Sequence, residues 1–339
     1  MRITLDMIYL HHLIQQLQMN SAKQRFASNS TLDEATQQSI IQLLKHSHFN
    51  GQLIIEKNNT YFEWVQGFEN LSHKTLIGED AIYYAGSISK FVTGIIIEQL
   101  IDEKELSYSD SVSKYIPLFN YPEVTIEDLL LHRSGLETYE TKNNIHGIDE
   151  AILNICTLTR NNKPKYVYND ANYVLLAKII EILTKQSYQS VVTERLINPY
   201  GLNETYFENH KINLIGSYKK GMLLIEYRKE DLDQYIGAGH LKMSLKDIQK
   251  LSKAFVNGDI FNEEKMNHIL RALPYKSQKY RNGISVRDGY LRIRGCIHGF
   301  DVINYFNKDM NIIIGTNMSD TNDSGKLEDI LKSIFELIK

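Results

Sequence analysis

The chain has 339 residues, of which 42% are hydrophobic and five are proline, a composition that excludes a disordered, collagen-like or small disulfide-stapled protein. Forty-one acidic residues against 38 basic ones give a net charge of -3, so nucleic acid is not an expected partner. The two cysteines, Cys156 and Cys296, lie far apart and follow no ligand spacing, so neither a disulfide framework nor a zinc site is predicted.

Two apolar stretches bear on membranes and export. Residues 91–101 form the longest apolar run, about half of the ~20 residues that span a bilayer, and predict a buried core helix and no transmembrane span. Residues 7–13 are a candidate signal core, but Asp6, His11 and His12 make them too polar. We therefore expect a cytoplasmic protein, or one of the cell envelope if an export segment lies upstream.

The N-terminal part predicts one helix and one hairpin. Thr31 and Glu34 have the spacing of a capping box, and Ile40, Ile41 and Leu44 continue it as the apolar stripe of a helix over residues 31–46. Residues 49–56 and 61–68 are rich in β-branched and aromatic side chains. The polar residues 57–60 between them are typical of a hairpin turn.

Helical signals dominate the middle of the chain. Thr125 begins a short helix that Gly135 can end, residues 176–183 have helical apolar spacing, and Ser244 caps a third helix. The pattern becomes β-rich again near the end, with predicted strands at residues 283–286, 290–295, 302–306 and 312–316. An amphipathic helix over residues 327–338 follows these strands.

These elements predict an α+β fold. The simplest assembly is one antiparallel sheet built from both chain ends and flanked by helices, with a mostly helical region inserted. The predicted units are a helical segment at residues 1–46, an α/β sheet domain at 47–105 plus 235–339, and a mostly helical insertion at 106–234.

Three stretches have the pattern Ser-x-x-Lys, and they begin at Ser87, Ser111 and Ser217. A nucleophilic serine gains from a helix N-terminus, and a lysine one turn later lies on the same face. Ser87 with Lys90 meets both demands, because an apolar helix follows, whereas the other two serines lie in turn-like sequence. The alternative for Ser87 is an ordinary helix N-cap.

Tyr168 is a candidate partner for this serine. It stands in Tyr168-Asn169-Asp170, directly before a helix, and a tyrosine beside a lysine ammonium loses its phenolic proton more easily. Such a phenol is a plausible general base for a serine. The alternative is a core aromatic residue, since the chain has 21 tyrosines.

With these motifs in order, the chain resembles the serine β-lactamase and penicillin-binding-protein superfamily, in its class C β-lactamase, DD-peptidase and esterase branch. Ser87-Ile88-Ser89-Lys90 matches the first motif, and Tyr168-Asn169-Asp170 matches the second, Tyr-x-Asn. Residues 124–136 are similar to another family segment, which contains His132, and residues 237–241 to a further one.

The resemblance implies both a fold and a reaction. An antiparallel sheet with flanking helices would pack against a mostly helical part, with the site between them. Ser87 would attack a carbonyl and form an acyl-enzyme, while Lys90 and Tyr168 share the proton transfer. The backbone N–H groups of Ser87 and Cys296 would form the oxyanion hole.

The third family motif, Lys-Thr-Gly or His-x-Gly, is altered. Its position is occupied by Ile293-Arg294-Gly295, so isoleucine replaces the cationic or imidazole side chain that helps bind a substrate carboxylate. Arg292 or Arg294 is a candidate substitute, although strand alternation points both away from the face of Ile293. His240 and His298 are further candidates, with structural or surface roles as the alternative.

Asp170 is the second departure, because most relatives have asparagine there. A carboxylate near Lys90 would keep that lysine protonated and could attract a substrate ammonium group; the alternative is a helix N-cap. Family members that act as D-alanyl esterases on teichoic acids have a substrate with a free amine and no adjacent carboxylate. Such a small-molecule or cell-wall-derived acyl substrate fits both departures.

The leading interpretation is a serine esterase that forms an acyl-enzyme on an ester or D-amino-acyl substrate. The alternatives are a DD-carboxypeptidase or β-lactamase, and a non-catalytic binding or sensor protein that kept the fold. No cofactor or metal is predicted, since the sequence has neither His-Glu-x-x-His nor a phosphate-binding glycine loop. The oligomeric state is not predicted.

Overall fold

The computed structural model describes residues 25–26, 32–58, 60–71, 73–140, 145–161, 165–207, 214–220, 225–226, 232–271, 278–320 and 325–339. The candidate signal core at residues 7–13 and the predicted cap Thr31 lie outside the described residues. The strands are β1 (Arg25–Phe26), β2 (Gly51–Lys57), β3 (Thr60–Gln66), β4 (Phe68–Asn70), β5 (Thr75–Leu76), β6 (Ile82–Tyr84), β7 (Thr205–Tyr206), β8 (Tyr218–Lys220), β9 (Ile225–Glu226), β10 (Lys242–Ser244), β11 (Tyr280–Arg281), β12 (Ile284–Val286), β13 (Leu291–Ile297), β14 (Phe300–Phe306), β15 (Met310–Thr316) and β16 (Met318–Asp320).

One large antiparallel sheet is built from both parts of the chain predicted to be β-rich. Its order is β1-β3-β2-β15-β14-β13-β12-β11. The N-terminal hairpin joins the C-terminal strands where β2 pairs with β15, from Gly51 opposite Thr316 to Lys57 opposite Met310. This sheet and its flanking helices confirm the predicted α+β class.

Smaller sheets accompany the main one. They have the orders β4-β5, β6-β10-β7 and β16-β8-β9. The strands β16 and β8 run parallel, whereas the other described pairs are antiparallel. The pairing of β6 with β10 places residues 82–84, directly before the Ser87 turn, beside residues 242–244.

The α-helices are α1 (Glu34–His46), α2 (Ser89–Asp102), α3 (Val112–Tyr115), α4 (Ile126–Leu130), α5 (Gly147–Ile155), α6 (Ala171–Thr184), α7 (Tyr188–Val192), α8 (Asn198–Tyr200), α9 (Leu245–Asn257), α10 (Glu263–Leu270) and α11 (Lys326–Ile338). Short 3₁₀ turns cover Gly86–Ile88 and Asp233–Tyr235, and a π-turn covers Thr193–Ile197. Within the described ranges, no helix has both the length and the apolar character that a membrane crossing requires.

Local capping explains where several helices begin. Ser244 accepts a hydrogen bond from the backbone N–H of Asp247, and Thr125 forms the full capping box with Asp128, both as predicted. The first helix differs from the prediction, because Asp33 is its N-cap and the helix begins at Glu34. The helix that Thr125 begins ends at Leu130, five residues before Gly135, because the chain turns sharply at His132 (φ +53°).

The main sheet separates two apolar layers. Alternation along β15 directs Ile312 and Ile314 toward α1 and α11, and directs Ile313 toward the larger core that contains α2, α6 and α9. In β14, Ile303 and Tyr305 face α1 and α11, and Val302 faces the larger core. The larger core also packs the helices of residues 112–200, so the Ser87 turn lies between the sheet and this helical part.

The N-terminal segment contributes to the sheet as well as supplying a helix. Arg25–Phe26 pair with Val65 and Trp64 of β3 and extend the sheet at that edge. The helix α1 packs against α11 through buried Ile40, Ile41 and Leu44. Residues 25–26 therefore belong to the main sheet, and α1 belongs to the layer that covers it.

Candidate functional site

Ser87 lies in the 3₁₀ turn that leads directly into α2. It is half-buried, whereas its neighbours from Ala85 to Lys90 are buried, so its side chain is the part of this turn that solvent reaches. Gly86 supplies the left-handed φ of +51° that the turn requires. The side chain of Ser87 does not cap the helix. It contacts Lys90 and Tyr168, which argues against the N-cap alternative.

Lys90 has no exposed side-chain surface, and its ammonium lies close to three oxygen atoms. Its Nζ lies 3.2 Å from Ser87 Oγ, 2.7 Å from the Ala238 carbonyl and 2.6 Å from Asp170 Oδ1. Burial favours the neutral amine, but the charge of Asp170, followed by that of Tyr168, raises the pKa of Lys90 above its ordinary value. We conclude that this lysine carries its proton at neutral pH.

Tyr168 approaches the serine from the side of the helical part. Its hydroxyl lies 2.7 Å from Ser87 Oγ, and Lys90 Nζ lies 4.9 Å from the centroid of its ring. The side chain is 39% exposed, so it lies at the mouth of the site and is not a core aromatic residue. Ser87 Oγ is therefore in contact with both the ammonium of Lys90 and the hydroxyl of Tyr168.

Asp170 occupies the N-cap position of α6 but makes no side-chain capping bond. Its carboxylate contacts Lys90 instead and keeps 31% of its side-chain surface exposed. Asn169 between Tyr168 and Asp170 is buried, and its amide binds the backbone of residues 136, 137, 139 and 171. The segment is thus fastened by Asn169 while its two neighbours face the serine and the lysine.

The strand β13 lies against the Ser87 turn. A Cβ atom placed on Gly295 would lie 3.0 Å from Ser87 N, and one placed on Gly86 would lie 3.2 Å from Cys296 N. The backbone amides of Ser87 and Cys296 are therefore neighbours, as the expected oxyanion hole requires. The Cys296 thiol is exposed.

The third-motif residues have separate environments. Ile293 is 1% exposed and belongs to the larger core. Arg292 pairs with Glu328 of α11, and Arg294 pairs with Asp301 and Glu328. The predicted alternation thus holds, and Arg294 is not the substitute charge that the sequence left open, because its guanidinium lies in an ion-pair network on the opposite face of the sheet.

His240 does not line the site either, which corrects its assignment as a substrate-binding residue. It is 3% exposed, contacts the rings of Tyr188 and Phe207, and accepts a hydrogen bond at Nδ1 from Gly237 N–H. It thereby holds the loop whose Ala238 carbonyl receives Lys90. The sequence alone could not distinguish substrate binding from structural support, since histidine serves in both roles.

The burial of His240 predicts an acid-sensitive fold. Burial, followed by the charge of Lys242, lowers the pKa of His240 to about 3. The unfolded chain binds this proton below about pH 6.5 and the folded chain does not, so the free energy of unfolding falls by roughly 1.4 kcal/mol per pH unit as the pH drops from that value toward 3. Denaturant unfolding of wild type and His240→Asn between pH 7 and 4.5 measures this slope. We expect a shallower slope in the variant; equal slopes would contradict the assignment.

The serines of the other two Ser-x-x-Lys stretches have different surroundings from Ser87. Ser111 caps α3 by accepting from Ser113 N–H, and Lys114 pairs with Asp110 at the surface. Ser217 is buried. The first of these stretches therefore does not reproduce the contact between Ser87 and Lys90, because its serine caps a helix and its lysine lies in an exposed ion pair.

Sequence reasoning missed the loop that supports Lys90 from behind. A Cβ on Gly283 would lie 2.2 Å from Phe91 N and 2.5 Å from the Lys90 carbonyl carbon, so this glycine is required for close packing. Gly283 N–H also donates to the Tyr173 hydroxyl of α6. The sequence placed Gly283 at the start of a predicted strand, but it gave no sign of the backbone that this glycine contacts in space. Among the described residues, no cluster of histidine, cysteine and carboxylate side chains is suited to hold a metal ion.

The fold and the surroundings of Ser87 define the class of protein, a serine hydrolase. The family model described as Beta-lactamase matches residues 38–290. The chain therefore belongs to the beta-lactamase family, which confirms the resemblance stated from its motifs.

Two comparisons with Staphylococcus aureus proteins are the most informative. The chain is 29% identical over 301 residues to a teichoic acid D-alanine hydrolase, covering 86% of this chain and 74% of that protein. It superposes on the crystal structure of FmtA with a TM-score of 0.83 and 26% identity, covering 97% of this chain and 96% of the other.

A more distant structure shows the same fold. The D-amino acid amidase from Ochrobactrum anthropi SV3 superposes with a TM-score of 0.79 over 90% of this chain and 99% of its own, at 16% identity. At that identity, the likeness concerns the fold alone.

Proposed function

We propose that this serine hydrolase is an esterase that removes D-alanyl groups from ester-linked polyol substrates through a Ser87 acyl-enzyme. The observation that carries the proposal is the distribution of charge. The Asp170 carboxylate lies 2.6 Å from Lys90 Nζ, whereas the third-motif position holds the buried Ile293. Such a site suits an ester that has an ammonium group and no carboxylate. The similarity to a teichoic acid D-alanine hydrolase supports the same substrate class.

The proton chemistry follows from the state of Lys90. As an ammonium it donates to Ser87 Oγ and cannot accept the serine proton, so the Tyr168 oxygen, 2.7 Å away, takes that role. Tyr168 must be deprotonated to accept this proton, and Lys90 Nζ lies 4.9 Å from the centroid of its ring. Asp170 acts by keeping Lys90 protonated.

The reaction then balances in two steps. Ser87 Oγ bonds to the ester carbonyl carbon, its proton passes to Tyr168, and the backbone N–H groups of Ser87 and Cys296 stabilise the oxyanion. The alcohol leaves with the proton from Tyr168. Water next attacks the acyl-enzyme by the same route and releases D-alanine and free Ser87.

Ester turnover with mass spectrometry tests the proposal. Wild type, Ser87→Ala and Ser111→Ala are incubated with a D-alanyl glycerol ester, its L-alanyl isomer and a chromogenic cephalosporin. We expect D-alanine release and a transient D-alanyl adduct in wild type and Ser111→Ala, and a loss of at least about 10³-fold in Ser87→Ala. The cephalosporin should acylate Ser87 slowly, because Ile293 replaces the cationic side chain of the third family motif.

Two results would contradict the proposal. Undiminished turnover by Ser87→Ala would show that Ser87 is not the nucleophile. An adduct that forms but never clears would indicate the non-catalytic binding protein that the sequence left open. Ser111→Ala is the matched control, because it removes the serine of another Ser-x-x-Lys stretch at a helix cap.

A further inference from the structure

His132 is a buried residue to which the proposed reaction assigns no step. It lies two residues after α4 ends at Leu130, is 1% exposed, and has a left-handed φ of +53°. Left-handed backbone is uncommon for residues other than glycine, although asparagine, aspartate and histidine adopt it more often than the rest. At His132 it allows the following contacts.

Those contacts hold the backbone on both sides of Tyr168. Val167 N–H donates to the His132 carbonyl at 3.0 Å, and Asn169 N–H donates to His132 Nδ1 at 3.2 Å. Asn172 Nδ2 lies 3.0 Å from the same ring nitrogen. Because a backbone N–H can only donate, Nδ1 is an acceptor and the proton of the neutral ring resides on Nε2.

The imidazole ring also supports the phenol itself. Its centroid lies 4.5 Å from that of Tyr168, with the two planes tilted by 36°. The rings of Tyr173 and Tyr280 lie 5.1 and 5.0 Å from it. Since Tyr168 is 39% exposed, His132 forms part of the protein wall against which this ring rests while its hydroxyl reaches Ser87.

The ring is suited to support and not to proton transfer. Burial, followed by the charge of Lys90, lowers the pKa of His132 well below its ordinary value. The titratable groups that face it are Lys90 and the phenols of Tyr166, Tyr168, Tyr173 and Tyr280. Among the described residues, its Nε2 has no hydrogen-bond partner to which a proton could pass.

We propose that His132 is a positioning residue for Tyr168: it fastens the backbone before and after that tyrosine and supports its ring, so that the phenol oxygen stays within reach of Ser87 Oγ. The inference rests on the proposed function in one respect, namely that Ser87 is the nucleophile and Tyr168 accepts its proton.

Two substitutions separate the features of His132. His132→Asn keeps an acceptor near the place of Nδ1 and tolerates the left-handed φ. His132→Phe keeps a ring against Tyr168 but leaves Asn169 N–H without its acceptor. We expect His132→Phe to react about 10- to 100-fold more slowly, because a small displacement of a catalytic group has effects of this size. His132→Asn keeps the acceptor and loses the ring, so we expect it to recover part of that loss.

The reaction to follow is labelling of Ser87 by a fluorophosphonate, measured by intact mass. Ser87 Oγ bonds to phosphorus, fluoride leaves, and the serine proton passes to Tyr168, so the rate reports nucleophilicity whatever the natural ester is. Each variant is measured with Tyr168 present and in a Tyr168→Phe background. If His132 acts through Tyr168, its substitution should change the rate much less in that background.

The outcomes decide the inference separately from the substrate. An equal loss from His132→Phe in both backgrounds, or no recovery by His132→Asn when both variants unfold at similar temperatures, would overturn it. If wild type is labelled at Ser87 but does not cleave the D-alanyl ester, the proposed substrate is wrong. The double-mutant comparison would still decide the role of His132 in that case. If wild type is not labelled at Ser87, both the assignment of Ser87 as the nucleophile and the inference about His132 would be wrong.

Discussion

Lys90→Met is expected to lower kcat for a D-alanyl ester by about 10²- to 10⁴-fold, the range that proton-transfer catalysis contributes. The substitution removes the ammonium that contacts Ser87 Oγ, Asp170 Oδ1 and the Ala238 carbonyl. Without it, the ring of Tyr168 loses a neighbouring positive charge, and the serine oxygen loses a hydrogen-bond donor.

The variant should remain folded, which makes the measurement interpretable. Methionine has nearly the same length and fills the buried volume of Lys90, and the Asp170 side chain is 31% exposed, so water can solvate its carboxylate. Lys114→Met is the matched control, since it removes the lysine of another Ser-x-x-Lys stretch from an exposed ion pair. Steady-state kinetics on both variants checks the prediction; a loss below about threefold in Lys90→Met, far under the general-acid–base range, would show that Lys90 is not needed for proton transfer.

Gly295→Ala should be nearly as damaging, through the backbone alone. The added Cβ would lie 1.7 Å from the Ala85 carbonyl oxygen, 2.7 Å from its carbon and 3.0 Å from Ser87 N. No rotamer relieves such an overlap, because backbone atoms meet it, so β13 must move away from the Ser87 turn. The amide of Cys296 would move with the strand, and losing one oxyanion donor costs about 10²- to 10³-fold in kcat.

The control for this substitution is Gly78→Ala. A Cβ there meets nothing within 4 Å, and its backbone φ is not left-handed. We expect Gly78→Ala to retain wild-type turnover of a p-nitrophenyl ester, and Gly295→Ala to lose it together with some thermal stability. Full activity of Gly295→Ala would mean that the close approach of β13 to the turn is not required for catalysis.

Much of the fold was predictable because its signals are local. The capping bonds of Thr125 and Ser244 and the alternation that separates Ile293 from its neighbouring arginines depend on residues a few positions apart. The boundary of α1 was missed for a related reason. Asp33 and Thr31 are both good caps, and only the observed bond to Thr36 N–H selects Asp33.

The site was predictable in part. Ser87 and Lys90 share one helical turn, but Tyr168 is 81 residues from Ser87, so the sequence could join them only through the family motifs. The roles of the Ala238 carbonyl, Gly283 and His132 depend on which loops meet in space. The misassignment of His240 has the same origin, since burial decides whether an imidazole faces a substrate or a loop.

The junction of the two chain ends also sets the order in which the protein can be made. Asn50 bonds to Asn317 across 267 residues, and β2 lies next to β15 in the middle of the main sheet. During synthesis the edge of β2 that pairs with β15 stays unpaired until nearly all of the described chain has been translated. Because such distant pairing is slow, a nascent chain of this fold would benefit from a chaperone that covers the edge of β2.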